Sequence, residues 1–379
     1  MPDVLIVAAE PSGDALAGEL VRAAGELRPD VRFFGVTGPE LESAGAERVL
    51  PTSTLSTMGL TEVAGKLPAA LKALSTLARA AVERPAMGAV LVDAPDFNLR
   101  LAGRLARRGV PVVQYVAPTV WAWRRGRIRA VRRYVRRLLV TLPFEAEAYV
   151  EAGVDAVYVG HPAADRVPRS LPPRSEVATR AGLPPALRWV ALLPGSRDAE
   201  LERLGGPFAA AAAWIAARVP DAAFLTPVAP GVDAERVAGV LAGAAPVALV
   251  QEGRHEVLAH CAAAITASGT ASLELALLGV PHVVAYRVSA ATWGAARLLV
   301  RVEHVALPNL IAGKKIVPEF LQGAVRPAAL AGPVLTWLAD EAARAEVVSE
   351  LDHVRDAVGP PGVAGRAARE TLEALDLAL

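Results

Sequence analysis

The chain has 379 residues, enough for about two domains at roughly 100–200 residues each and for a large buried core. Apolar residues make up 53% and charged residues 21%, which excludes a mainly disordered chain. Forty Lys and Arg against 39 Asp and Glu leave a formal charge of +1, so any basic function must be local and no nucleic-acid partner is expected.

The mean hydropathy of +0.35 is high and raises the question of a membrane span. The longest apolar stretches, 208–217 and 238–250 with Pro246 inside it, fall short of the ~20 residues a spanning helix needs. The first residues run directly into an apolar stretch at 4–9, without the basic region of a secretory leader, and read as a buried strand. One cysteine, Cys261, excludes an intramolecular disulfide and a cysteine-built zinc site and fits a reducing cytoplasm.

In chain order, short Val- and Ile-rich runs alternate with helical segments, the pattern of parallel sheets covered on both faces. Strands are expected at 4–8, 31–36, 89–92, 110–116, 138–142 and 156–159, with a helix at 14–27 after the first. Residues 162–185, rich in proline and arginine, mark a boundary. Strands then resume at 189–193, 222–227, 246–250, 262–266 and 282–286, with helices at 199–218 and 272–278. The expectation is two Rossmann-like, doubly wound α/β domains facing across a cleft, 1–163 and 164–379, the second carrying terminal helices. Ligands of such sheets sit at the carboxyl ends of strands.

Four loops in those places carry chemistry. Gly195-Ser196-Arg197 follows a strand, with glycine for close backbone approach and arginine as a planar donor fork for phosphate. A plain turn with a surface arginine fits the same residues. Ser268-Gly269-Thr270 enters a helix whose free N–H groups would suit a diphosphate, and Glu274 one turn later suits ribose hydroxyls. Capping by Ser268 or Thr270 is the plainer alternative. Asp93, at a strand end, reads as a general base, whereas Asp96 reads as a helix cap. Glu10, Ser12 and Asp14 form the loop after the first strand, without the dinucleotide fingerprint; they line the cleft, or Asp14 caps the first helix. No Asp-x-Asp pair occurs, so a departing diphosphate would be neutralised by arginine and helix dipole, with no metal or cofactor called for.

Trp121 and Trp123 precede eight arginines between Arg124 and Arg137, among them Arg132 and Arg133. Arginine with tryptophan suits an anionic membrane surface; a solvated helix face is the alternative. His161, in Gly160-His161-Pro162, reads as structural or as a cleft hydrogen-bonder.

Taken with Met58-Gly59-Leu60-Thr61-Glu62-Val63, the run from Tyr115 to Trp123, Leu142-Pro143-Phe144-Glu145, Leu307-Pro308-Asn309-Leu310 and Pro318-Glu319-Phe320-Leu321-Gln322, these motifs resemble, in order, the lipid-A-disaccharide synthase family. In the first loop, Ala8-Ala9-Glu10-Pro11-Ser12-Gly13-Asp14, alanine and proline stand where the family usually has glycine and a small residue. The resemblance implies a GT-B glycosyltransferase whose second domain binds the UDP-sugar and whose first binds the acceptor. It implies inverting transfer of 2,3-diacylglucosamine from its UDP conjugate to 2,3-diacylglucosamine 1-phosphate, at the inner face of the cytoplasmic membrane. On this reading Asp93 is the base, and Gly195, Ser196, Arg197, Ser268, Gly269, Thr270 and Glu274 bind UDP, with Asn309 and Gln322 in the donor pocket. Glu10, Ser12, Asp14, Met58 and Asn98 lie on the acceptor side. A UDP-activated acylated sugar, a phosphorylated acylated sugar and an anionic membrane are the implied partners, and a homodimer stays open. A glycosyltransferase for another glycolipid, or a UDP-sugar epimerase of the same fold, is the rival.

Overall fold

The computed structural model describes residues 1–56, 63–118, 126–228, 232–243, 245–290, 292–294 and 303–377. The chain forms two compact units, residues 1–165 with 360–379, and residues 166–359. Among the described residues, no helix is long and apolar enough to cross a membrane.

The first unit is a seven-stranded parallel sheet: β1 (Asp3–Ala8), β2 (Arg32–Thr37), β3 (Glu47–Pro51), β4 (Gly88–Val92), β5 (Val112–Tyr115), β6 (Arg137–Val140) and β7 (Ala156–Tyr158), in the order β3-β2-β1-β4-β5-β6-β7. Val4 to Ala8 and all of β4 are fully buried, as expected of central strands with helices on both faces. β3 is the strand the apolar pattern missed. It lies at the edge, begins Glu47-Arg48 with both residues exposed and ends in Pro51, so it carries little hydrophobic signal.

The second unit is a six-stranded sheet: β8 (Arg188–Leu193), β9 (Ala222–Pro227), β10 (Val247–Val250), β11 (Ala263–Ala267), β12 (His282–Tyr286) and β13 (Glu319–Leu321), in the order β10-β9-β8-β11-β12-β13. All neighbours are parallel. β13, three half-buried residues on the opposite edge, was likewise not expected. The proline-rich boundary holds two short helices, Ala163–Arg166 and Arg174–Ala181.

The last twenty residues depart from the expected division at residue 163: they return to the first unit. Helix Val363–Ala374 packs on helix Pro11–Leu27 and on β5 and β6. Asp165 caps it, accepting from the N–H groups of Gly362, Val363 and Ala364. Arg366 donates to the carbonyl of Val159, and Arg137 pairs with Asp155, Glu370 and Glu373. Gly88 opens β4 because a Cβ there would collide with the Leu375 side chain.

Candidate active site

In each sheet the strand order reverses once, between β1 and β4 in the first unit and between β8 and β11 in the second. Such a reversal leaves a crevice at the carboxyl ends of the two strands, where ligands bind. Four of the predicted loops fall at these two points.

In the second unit Thr266 pairs with Leu193, so the loops after β8 and β11 leave the sheet side by side. Gly195 is left-handed (φ 117°), and a Cβ there would collide with Glu200. The Glu200 carboxylate approaches the N–H groups of Ser196 and Arg197 at 3.2 and 3.5 Å and the Arg197 guanidinium at 3.3 Å. Arg197 keeps a side chain 78% exposed at the head of helix Asp198–Ala216. Burial and the nearby Glu200 carboxylate raise the pKa of the Tyr286 phenol, which Arg197 opposes. Neither Glu200 nor Tyr286 stood out in the sequence.

After β11, the cap of helix Thr270–Leu277 is Gly269, and among the described residues no side chain closes this end. Gly269 and Thr270 are exposed, which leaves N–H donors directed outward for an anion. Ser268 is different: its hydroxyl donates to the carbonyl of Val305 at 2.9 Å and is already engaged. Glu274 is buried, with Arg254 Nη2 at 2.7 Å and His255 Nε2 at 3.6 Å. Burial alone would raise its pKa; the His255 and Arg254 interactions outweigh that and hold it below the usual carboxylate range. Arg254 follows Gly253 at the start of a six-residue helix, with no motif to announce it.

Asn309 and Gln322, expected in the donor pocket, are committed to the fold. Asn309 is fully buried and donates to the Val317 carbonyl and Glu319 Oε1, while its Oδ1 accepts from the N–H groups of Ile316 and Val317. Glu319 in turn accepts from the N–H groups of Val305 and Ala306, just ahead of helix Leu307–Ala312. Gln322 is left-handed (φ 51°); its side-chain amide bonds the N–H and C=O of Val288, and its main-chain carbonyl accepts from Arg287.

In the first unit Ala8 pairs with Val92, which puts the loop after β1 beside Asp93. Glu10 and Ser12 are exposed there. Asp14, expected on the acceptor side or as cap of its own helix, is instead 2% exposed and caps a different one. Its carboxylate accepts from the N–H groups of Gly38, Glu40 and Leu41 at 2.7, 2.9 and 3.3 Å, at the start of helix Pro39–Ser43. Sequence patterns report caps only along the chain, and this one reaches 24 residues ahead.

Asp93 (φ 50°) and Ala94 (φ 41°) are both left-handed, a conformation costing about 1–3 kcal/mol per non-glycine residue. Burial raises the pKa of the Asp93 carboxyl, partly offset by the N–H of Ala94. Asn98, expected on the acceptor side, is fully buried: its Nδ2 donates to the carbonyls of Val92 and Asp93 at 3.0 and 2.7 Å, and its Oδ1 has no partner among the described residues. Asp96 is not the cap of helix Pro95–Ala106, a place taken by Ala94; it pairs with Arg127 at 2.5 Å. His161 Nδ1 accepts from the N–H of Ala163.

The arginine run divides. Arg127, Arg136 and Arg137 are paired with acidic side chains, whereas Arg129, Arg132 and Arg133 are exposed on helix Arg127–Tyr134 and form no ion pair among the described residues. Met58, Trp121, Trp123, Arg124 and Arg125 lie outside the described residues.

Two parallel-sheet α/β units, each with a crevice at its point of strand reversal, define a GT-B fold. Two solved structures share this fold across their length. The calicheamicin glycosyltransferase CalG4 matches with a TM-score of 0.64 at 19% identity, covering 99% of this chain and 98% of its own. The UDP-GlcNAc 2-epimerase from Neisseria meningitidis, solved bound to UDP-GlcNAc, matches with a TM-score of 0.65 at 9% identity over 100% of both chains. The family model for lipid-A-disaccharide synthetase matches residues 4–360. The lipid-A-disaccharide synthase of Anaeromyxobacter dehalogenans is 44% identical over 371 residues, 97% of this chain and 96% of the relative. The chain belongs to the lipid-A-disaccharide synthase family and is a glycosyltransferase of lipid A biosynthesis.

Proposed function

We propose that the chain transfers 2,3-diacylglucosamine from its UDP conjugate to the 6-hydroxyl of 2,3-diacylglucosamine 1-phosphate, with inversion, releasing UDP and a β-1,6 disaccharide. The family match over residues 4–360 carries this reading. The epimerase alternative has the shared fold alone in its favour.

Asp93 takes the proton of the acceptor hydroxyl as that oxygen attacks the anomeric carbon. Its raised pKa supports the role, because a base is most effective when its pKa nears the working pH. Glu10 and Ser12 contact the acceptor. On the donor side, the Arg197 guanidinium and the N–H groups at Gly269 and Thr270 stabilise the charge growing on the diphosphate as the anomeric C–O bond breaks. Glu274, kept ionised by Arg254 and His255, accepts from the ribose hydroxyls. Arg129, Arg132 and Arg133 hold the enzyme against anionic lipid on the cytoplasmic face of the inner membrane, where both acylated substrates reside. Incubation of the purified protein with the two substrates, followed by mass spectrometry of the lipids, tests the reaction. A disaccharide with stoichiometric UDP is expected, and an epimerised donor with no disaccharide would refute it.

A further inference from the structure

Gln114 is out of pattern for its place. It sits in the middle of β5 with its main chain between Leu91 of β4 and Leu138 of β6, and all three side chains are fully buried. An aliphatic residue would suit a central parallel strand better, since an amide buried there must find partners for every polar atom. Its Oε1 has none among the described residues. Its Nε2 instead lies 3.1, 3.3 and 3.4 Å from the carbonyls of Asp93, Val116 and Tyr115. The Asp93 carbonyl thus takes two amides, from Gln114 and from Asn98.

The backbone held in this way is unfavourable. Asp93 and Ala94 are left-handed, and so is Val116 (φ 70°), a β-branched residue for which that conformation is an outlier. The loop after β4 and the loop after β5 are therefore both bent at a strained residue, and a single side chain bonds the two. Such strain persists only where surrounding groups over-determine it, and it collects at functional sites.

We propose that Gln114 is a positioning residue for glycosyl transfer, tying the loops after β4 and β5 together and so fixing the direction in which the Asp93 carboxyl points. The proposal rests on the reading of Asp93 as the base. A buried amide with an idle oxygen is here kept for the placement of a reacting group and not for packing.

The test is Gln114→Met, which keeps chain length and removes both donors. Misplacing a base by a fraction of a bond length should lower kcat on the order of ten- to a hundredfold, with KM for both substrates within about twofold. The Asp93 carboxyl, freed toward water, should titrate lower, moving the acid limb of kcat to lower pH. UDP affinity should stay near that of the parent protein, while the thermal midpoint falls because buried carbonyls lose their donor. Parental kcat with an unmoved acid limb would overturn the proposal, as would parallel losses of kcat and UDP affinity with the acid limb unmoved, which mark a merely structural role. Gln114→Glu gives a second reading should the methionine variant not fold. Only its protonated form can donate, so its kcat relative to the parent's should rise toward acid pH, and a ratio flat with pH would overturn the proposal. Asp93→Asn separates the two failures. If it turns over normally, the base assignment is at fault; if it is inactive while Gln114→Met is normal, the positioning role is.

Discussion

A carboxylate that must accept a proton near neutral pH cannot titrate like an ordinary surface aspartate. Burial at the end of β4 shifts Asp93 in the required direction, so Asp93→Asn should lower kcat by about 10²-fold or more while sparing UDP affinity. Steady-state kinetics with calorimetry of UDP binding checks both halves. For the parent, kcat should fall as the medium is acidified through a pKa above the usual aspartate range. Arg197 is a different kind of residue, exposed and, among the described residues, holding only a loose pair with Glu200. Its worth lies in the ligand: Arg197→Ala should weaken UDP binding by about 1.5–3 kcal/mol, the range of a charge-assisted hydrogen bond. Unchanged affinity by calorimetry would make it an ordinary surface arginine.

The elements explain which candidate residues turned out to serve the fold. Asp14, Asn309 and Gln322 are polar residues in motifs, and residue type alone cannot say whether a side chain faces a ligand or a neighbouring loop. Asp14 closes three N–H groups at the start of helix Pro39–Ser43, and a Cβ at Gly38 would press on its carboxylate. Asp14→Ala should therefore destabilise the protein by about 1–3 kcal/mol, with KM for the acceptor unchanged in the folded fraction. Denaturant unfolding beside kinetics separates this from a substrate contact, which would raise KM at constant stability. Asn309 differs only in detail, bonding Glu319, whose carboxylate holds the N–H groups of Val305 and Ala306 just ahead of helix Leu307–Ala312.

At the scale of the whole molecule, one buried histidine sets an acid limit. His282 opens β12, fully buried, its Nδ1 2.8 Å from the Val280 carbonyl, and burial lowers its pKa from 6.5 to about 4. Above pH 6.5 the ring is neutral folded or unfolded and the second unit has its full stability. As the pH falls from 6.5 to 4, the unfolded chain takes up a proton that the folded one refuses, so stability drops, by about 3 kcal/mol in all. Unfolding curves between pH 7 and 4 should show this loss, and His282→Gln should flatten that slope. The surface makes a separate prediction. With Arg136 and Arg137 engaged in ion pairs, vesicle binding should depend on Arg129, Arg132 and Arg133, each contributing on the order of 1 kcal/mol at an anionic surface and less as salt rises. Sedimentation with anionic and neutral vesicles, for the parent and the triple alanine variant, checks it. Equal binding in all four combinations would remove these arginines from the membrane contact.

Sequence by itself determined the central strands, the two-sheet plan and the loops that follow those strands, because a parallel strand buried on both faces reads as a near-continuous apolar run. The places of Asp93, Arg197, Gly269, Thr270 and Glu274, in the loops after strands or in the first turns of the helices that follow, were legible for that reason, as was the family through its ordered motifs. Edge strands β3 and β13 were not, since half-exposed residues carry little hydrophobic pattern. Nor was the return of residues 360–379 to the first unit, which depends on Asp165, Arg366 and Arg137 meeting partners roughly two hundred positions away in the chain. Only the tertiary structure could assign Asp14 to a distant helix, Asn98 and Gln114 to the Asp93 backbone, and Arg254 to Glu274. Hydrogen-bond partners of a buried polar side chain are chosen by which backbone groups the packed fold leaves without a bond, and local sequence holds no record of those.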